Sequence, residues 1–169
     1  MTEEFEDDID TETTPPKDVP DAPEVGMLPP MRLALFLVAG ITLDWVIPIN
    51  LGHGWGWLGL ALVIGSLAYG KWAIETFKKA GTNVPPNKPA ITLVTDGPFE
   101  YSRNPMYMSM VVMYFGVAML ADAPIMLLLS FALWAVLDRQ VIAKEEEYME
   151  AKFGEDYVLY KQKVSRWFG

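Results

Sequence analysis

The sequence predicts an all-α integral membrane protein with about four transmembrane helices, and three observations carry that prediction. First, residues 31–50, 54–74, 106–121 and 124–137 are four apolar runs. The first two reach the roughly 20 residues that a bilayer core of about 30 Å requires. Second, residues 105–121 carry no charge at all, whereas a helix of a soluble bundle keeps a polar face of helical period. Third, none of the 13 Lys and Arg residues falls in the connections at 50–54 and 121–124. They lie in the tail, in the 71–104 loop, at the helix ends beside it or in the C-terminal segment, the asymmetry that the positive-inside rule describes. Both termini and the long loop are therefore expected on the cytoplasmic side.

The elements follow in order. "MTEEFEDDIDTETTPPKDVPDAPE" holds most of the excess acid behind the net charge of −9 and few apolar groups. Such a stretch buries too little surface to offset chain entropy, so residues 1–26 read as a disordered acidic tail and 27–169 as the membrane domain. The run from 31 to 50 is the first span, and the run from 54 to 74 the second. Trp45, Trp55 and Trp57 cluster near one boundary, as interfacial aromatics do. The last two runs are short and separated only by Asp122-Ala123, which suggests a helical hairpin whose far ends extend into polar sequence. Beyond it, Ile142, Met149, Phe153, Tyr157 and Tyr160 recur with helical period. They suggest an amphipathic interfacial helix, broken near Gly154.

What chemistry does the chain exclude? Cysteine is absent and His53 is the single histidine, so thiol catalysis, disulfides, and Cys- or His-rich metal sites are not expected. No nucleic-acid partner is expected either. Asp44 lies within a span, where a carboxylate is a functional hypothesis by default, although it is close to the outer end. His53 reads as a solvated loop residue.

The stretch from Lys78 to Asn104 is too long and too patterned for a spacer. Gly81, Pro85, Pro86, Pro89, Gly97 and Pro98 break helix, and "AITLV" is a short extended run. "SRNPMY" then opens the third apolar run. Asn104 suits a helix cap, Pro105 the first helical position, and Arg103 can snorkel to the interface. The run Glu145-Glu146-Glu147 is ordinarily a solvated helix face. At about 100° per residue, Arg139 lies nearly over Glu146 and roughly 120° from Glu145. Arg139 and Glu145 can share a site only if that site wraps the helix or the helix bends.

"GTNVPPNKPAITLVTDGPFEYSRNPMYMS", followed by "EEEYMEAKFGEDYVLYKQKVSRW", resembles the isoprenylcysteine carboxyl methyltransferase family, whose wider group includes phospholipid N-methyltransferases. The resemblance covers roughly residues 78–167. It implies S-adenosylmethionine as cofactor, held by the cytoplasmic loop and the C-terminal helix. The residues it marks are Thr92, Leu93, Val94, Gly97 and Phe99, then Arg103, Asn104, Pro105 and Tyr107, then Glu145 and Glu146. It implies a lipophilic or lipidated acceptor drawn from the bilayer, with prenylcysteine-like carboxylate O-methylation favoured. Arg139 would hold an acceptor carboxylate, as the family's corresponding arginine does, and Glu146 or Tyr107 would serve as base for an amine or thiol. Asn104 stands where the eukaryotic enzymes have His, and Phe99 where Tyr is common, so the prenylcysteine substrate does not transfer with the fold. Two other readings stay open at this stage. One is an NADPH-dependent membrane reductase of the sterol-reductase type, which shares a similar Arg-x-Pro-x-Tyr motif; the other is a non-enzymatic membrane adaptor.

Overall fold

Proline opens three of the helices. α1 (Pro29–Val46), α3 (Pro105–Leu120) and α4 (Pro124–Leu137) all carry it in the first turn, where its missing N–H costs nothing and its fixed φ suits the helix. α2 (Gly56–Lys79) ends in a Schellman motif: Gly81 adopts φ +70°, its N–H donates to Lys78 O, and the Thr82 N–H donates to Phe77 O. α4 continues without interruption through a π-helical segment, Asp138–Ile142, into α5 (Ala143–Phe153). Gly154, at φ +54°, breaks the chain before α6 (Glu155–Lys163), where the sequence places the break. The computed structural model describes residues 20–50, 52 and 54–168. The expectations for residues 1–19 and for His53 lie outside these.

Among the described residues there is no strand. Three helices are long and apolar enough to cross a membrane, Pro29–Val46, Gly56–Lys79 and Pro124–Phe153, and α3 is a shorter apolar helix. The first run stops at Val46 rather than 50, before Pro48. Only one half of the hairpin extends into polar sequence: α4 runs on to Phe153, whereas α3 begins at Pro105 behind a 3₁₀ turn, Gly97–Glu100. In the 30-residue helix the charges begin at Asp138. At about 1.5 Å per residue, Glu145 stands roughly 30 Å beyond Pro124, past the thickness of a bilayer core. α5 is therefore the polar extension of that helix and lies outside its apolar stretch.

Packing is inside-out relative to a soluble bundle. Trp45 and Trp57 are more than four-fifths exposed, and Val38, Leu128 and Phe131 are exposed too, while the α2–α3 contact is built on small residues. A Cβ on Gly116 would meet Gly59 O at 2.9 Å and Val63 N at 3.0 Å, both backbone atoms that cannot swing aside. A Cβ on Gly70 would meet the Ser109 hydroxyl at 2.6 Å. Close backbone approach through small residues is how helices associate in lipid. Gly116→Val is accordingly expected to cost about 1–3 kcal/mol and lower the unfolding temperature in detergent. Gly65→Val, at a position with nothing within 4 Å of its Cβ, should leave it within error.

One apolar cluster joins α1, α3 and α4 through Leu33, Tyr114, Met126, Leu133 and Leu137; a second joins the end of α2, the loop and α6 through Ala73, Val94, Phe99, Tyr157 and Tyr160. The segment just before α1 belongs to the first cluster. Val25 is 3% exposed, and Arg32 donates from Nη2 to Val25 O at 3.0 Å and from Nε to Met27 O at 2.9 Å. Tyr148 Oη donates to Asp21 O at 3.0 Å, and Lys144 Nζ to Glu24 O at 2.8 Å. Residues 20–26, read from sequence as the end of a disordered tail, thus pack on the membrane domain. The buried side chain of Val25 and a row of backbone acceptors hold them where net composition predicted no structure.

Candidate active site

The start of α1, the end of α2, the start of α3 and the polar extension of α4 converge at one end of the bundle. Between them and the 80–104 loop lies a pocket of about 810 Å³ of empty space, counting its open mouth. Its loop wall is folded by its own side chains. Thr82 Oγ1 accepts from the N–H of Ile91 at 3.0 Å and of Thr92 at 3.5 Å, and Asn83 Nδ2 donates to Pro89 O at 2.8 Å. The Ala90 N–H donates to Tyr148 Oη at 3.1 Å, tying the loop to α5. "AITLV" is extended here without strand pairing. The aromatic side of the pocket rests on Phe99, which stacks on Phe77 with ring centroids 4.7 Å apart and planes 10° apart. Tyr160 Oη donates to Phe99 O at 2.7 Å, which fixes α6 against the 3₁₀ turn.

Thr92, Leu93, Val94, Phe99, Arg103, Asn104, Pro105, Tyr107, Glu145 and Glu146 all line this one pocket. Three sequence blocks up to about 50 residues apart therefore meet. Gly97 and Arg139 do not line it. Gly97, at φ +62°, sits under Trp72 and Thr76, where a Cβ would come within 3.4 Å of each; it shapes the turn rather than touching the cavity. Arg139 is exposed. In an unbroken α-helix it would lie over Glu146, but a π-helical segment carries an extra residue per turn and rotates the residues beyond it. Val141, Ile142 and Glu146 turn inward, and Arg139 and Gln140 are left outside.

The two carboxylates of the Glu pair differ in circumstance. Tyr107 Oη donates to Glu145 Oε1 in a short hydrogen bond. Burial raises the Glu145 carboxyl to about 7, with the Tyr107 hydrogen bond opposing and the Glu146 charge adding to the shift. Glu146, 6% exposed, is held by two guanidinium groups. Its Oε1 accepts from Arg103 Nη2 at 2.6 Å and from Arg103 Nε and Arg166 Nε at 3.2 Å each; its Oε2 accepts from Arg166 Nη2 at 2.5 Å. Burial alone would raise the Glu146 carboxyl, but Arg166 and Arg103 outweigh it and hold it below the usual range. The Arg166 guanidinium is raised in turn, chiefly by its hydrogen bond to Glu146. Burial raises both Tyr157 and Tyr160.

Arg103 spends its remaining donors on backbone. Nη1 donates to Lys161 O at 3.2 Å and Val164 O at 2.7 Å. Asn104 occupies the cap position of α3 but makes no side-chain cap hydrogen bond. Its Nδ2 donates to Arg166 O at 3.2 Å instead. "SRN" thus grips the C-terminal segment, which neither capping nor snorkelling foretold. Residues that sequence reasoning did not place in the site include Thr82, Tyr148, Tyr157 and Tyr160. The two α6 tyrosines were legible as the paired Tyr of the block after Gly154, and Thr82 as the residue following a helix-ending Gly.

The family model for phospholipid methyltransferases matches residues 55–156, from the start of α2 into α6. The chain belongs to that family. It is 37% identical over 73 residues to the protein-S-isoprenylcysteine O-methyltransferase of Schizosaccharomyces pombe, covering 43% of this chain and 30% of that protein. It is 56% identical over 32 residues to an uncharacterized protein of Haemophilus influenzae, covering 19% of this chain and 51% of that one. In fold it is similar to the eukaryotic intramembrane Ras methyltransferase ICMT, with a TM-score of 0.62 at 21% identity, over 81% of this chain and 50% of that one. The chain thus spans half or less of the length of the named methyltransferases it matches. This family membership, the shared fold and the apolar helices make it an integral membrane protein.

Proposed function

We propose that this phospholipid methyltransferase family member transfers a methyl group from S-adenosylmethionine to a lipophilic acceptor resident in the bilayer. The observation that carries the reading is the pocket itself. One carboxylate in its wall, Glu145, has no cationic partner among the described residues, beside an apolar and aromatic surface, at the boundary between apolar helices and polar sequence. The residues suit that cofactor. Glu145 is a partner for its cationic groups. Leu93, Val94, Phe99, Met106, Tyr157 and Tyr160 offer apolar and aromatic surface for a purine. Lys88 and the first N–H groups of α3, which have no partner within a helix, offer donors to a carboxylate. When bound, S-adenosylmethionine supplies an electrophilic methyl on a sulfonium.

The chain's own contribution is binding, orientation and exclusion of water. A carboxylate acceptor is already nucleophilic, and no base is needed; O-methylation of a prenylcysteine-like or other lipid carboxylate is favoured. For an amine or thiol acceptor, the Tyr107–Glu145 pair is the base, Glu145 being ionised beside the bound cation. Glu146 is unsuited to it, both oxygens being engaged by arginines. Arg139, outside the pocket, would meet an acceptor only at the surface. A reductase fits less well. Among the described residues the basic ones lining the pocket are Lys88 and Arg103, and Arg103 is committed to Glu146 and two backbone carbonyls, which leaves one of them for a nucleotide phosphate. The reading places the pocket and both termini on the cytoplasmic side, in keeping with the basic residues gathered at that end.

The direct test is to incubate the protein in native membranes with S-adenosylmethionine labelled in its methyl group and to extract the lipid. Label in the lipid or lipidated fraction, absent with Glu145→Ala, is expected. Label in neither fraction would contradict the reading.

A further inference from the structure

Residues 164–168, after α6, lie beyond the family match, which ends at residue 156, yet they are held from two sides. On one side the Arg103 N–H donates to Ser165 O at 3.0 Å, and Ser102 Oγ donates to Arg166 O at 3.2 Å. On the other, Asp138, the first residue of the π-helical segment, accepts from Arg166 Nη1 at 3.1 and 3.2 Å and from Trp167 Nε1 at 2.8 Å. The Arg166 guanidinium therefore bridges two carboxylates, Asp138 at one end of the π-helical segment and Glu146 beyond its other end. Charges alternate along the row Arg103, Glu146, Arg166, Asp138.

We propose that Arg166 is a positioning residue for the methyl-transfer site. By tying Asp138 to Glu146 across the π-helical segment, it fixes the rotation of α5 and so the direction of the neighbouring Glu145 toward Tyr107. The inference rests on the cofactor reading above. The physical need is specific. A π-helical segment is a rare, single-turn interruption of the α-helical i→i+4 ladder, so the phase of the residues after it is set by contacts made on both sides of it. A planar fork reaches two carboxylates at once, whereas a lysine ammonium is a point charge on a flexible stem.

The test measures S-adenosylhomocysteine binding by calorimetry in detergent for wild type, Arg166→Ala, Arg166→Lys and Asp138→Asn, with ligand-free unfolding temperatures alongside. A displaced Glu145 is expected to weaken binding about tenfold or more in Arg166→Ala, with partial recovery in Arg166→Lys. A displaced Glu145 no longer sets the pH dependence of binding, so that dependence should flatten in Arg166→Ala. A purely architectural loss would leave that dependence in place. Asp138→Asn, of nearly equal volume, should show a smaller effect of the same sign, and it carries the test if Arg166→Ala fails to fold. Wild-type affinity and pH profile in Asp138→Asn, or in a folded Arg166→Ala, would overturn the inference. Absence of binding in wild type would overturn the cofactor reading and this inference with it.

Discussion

Arg103→Ala is expected to destabilise the protein by about 3 kcal/mol, near the lower end of what breaking a buried ion pair costs, and to lower its melting temperature by about 10 °C. The Arg103 and Glu146 side chains are 9% and 7% exposed. Removing the guanidinium leaves Glu146 with Arg166 alone, and it strands the carbonyls of Lys161 and Val164 at the end of α6. Arg103→Lys should recover little, because one ammonium cannot serve a carboxylate and two carbonyls in a fixed plane. The measurement is thermal unfolding in detergent without ligand. A cofactor donor that played no part in the architecture would give an unchanged melting temperature and a weakened affinity, and that result would refute this assignment.

The second large effect concerns Glu145 and pH. Its carboxyl titrates near 7, above the ordinary carboxylate value, because burial strips it of water. A group raised in the folded state contributes stability that is full below its unfolded value and is lost as pH rises through about 7. Ligand binding runs the other way. A cationic amino group prefers the ionised carboxylate, so affinity should rise about fivefold from pH 6 to 7 and level off above. Calorimetry at pH 6 in two buffers of different ionisation heat should show proton release on binding. Glu145→Gln should flatten that dependence and weaken binding by about 10–100-fold, the range of a lost charge-assisted hydrogen bond. A wild-type affinity that is flat between pH 6 and 8 would remove Glu145 from the ligand's contacts.

How much of this was legible in the chain? The four apolar runs, the helix start at Pro105 and the break at Gly154 follow from local chemistry, although the first helix ends at Val46 rather than 50 and the second runs on to Lys79. The meeting of the loop, "RNP" and Glu-pair blocks in one pocket was readable because a resemblance tied them together, not because any periodicity did. The features that resisted reading depend on distant partners. Val25 looks like a stray apolar group in an acidic stretch until α1, α3 and α4 are built around it. Arg139 looks stacked on Glu146 until a π-helical segment, which sequence does not announce, rotates them apart. Arg166 is one more basic residue near a terminus; Asp138 and Glu146, each 20 or more positions upstream, give it a role. Asn104 and Pro105 sit at the helix start as expected, but the Asn104 amide serves the C-terminal segment rather than the helix it opens.

The central claim is that the pocket around Glu145 binds S-adenosylmethionine. The most direct measurement is calorimetric titration of the detergent-solubilised protein with S-adenosylhomocysteine, beside Glu145→Ala and with NADPH as the competing ligand. Binding in the micromolar range to wild type, lost in Glu145→Ala and absent for NADPH, is the predicted result. Binding of NADPH in place of S-adenosylhomocysteine, or equal binding of S-adenosylhomocysteine by Glu145→Ala, would contradict the account.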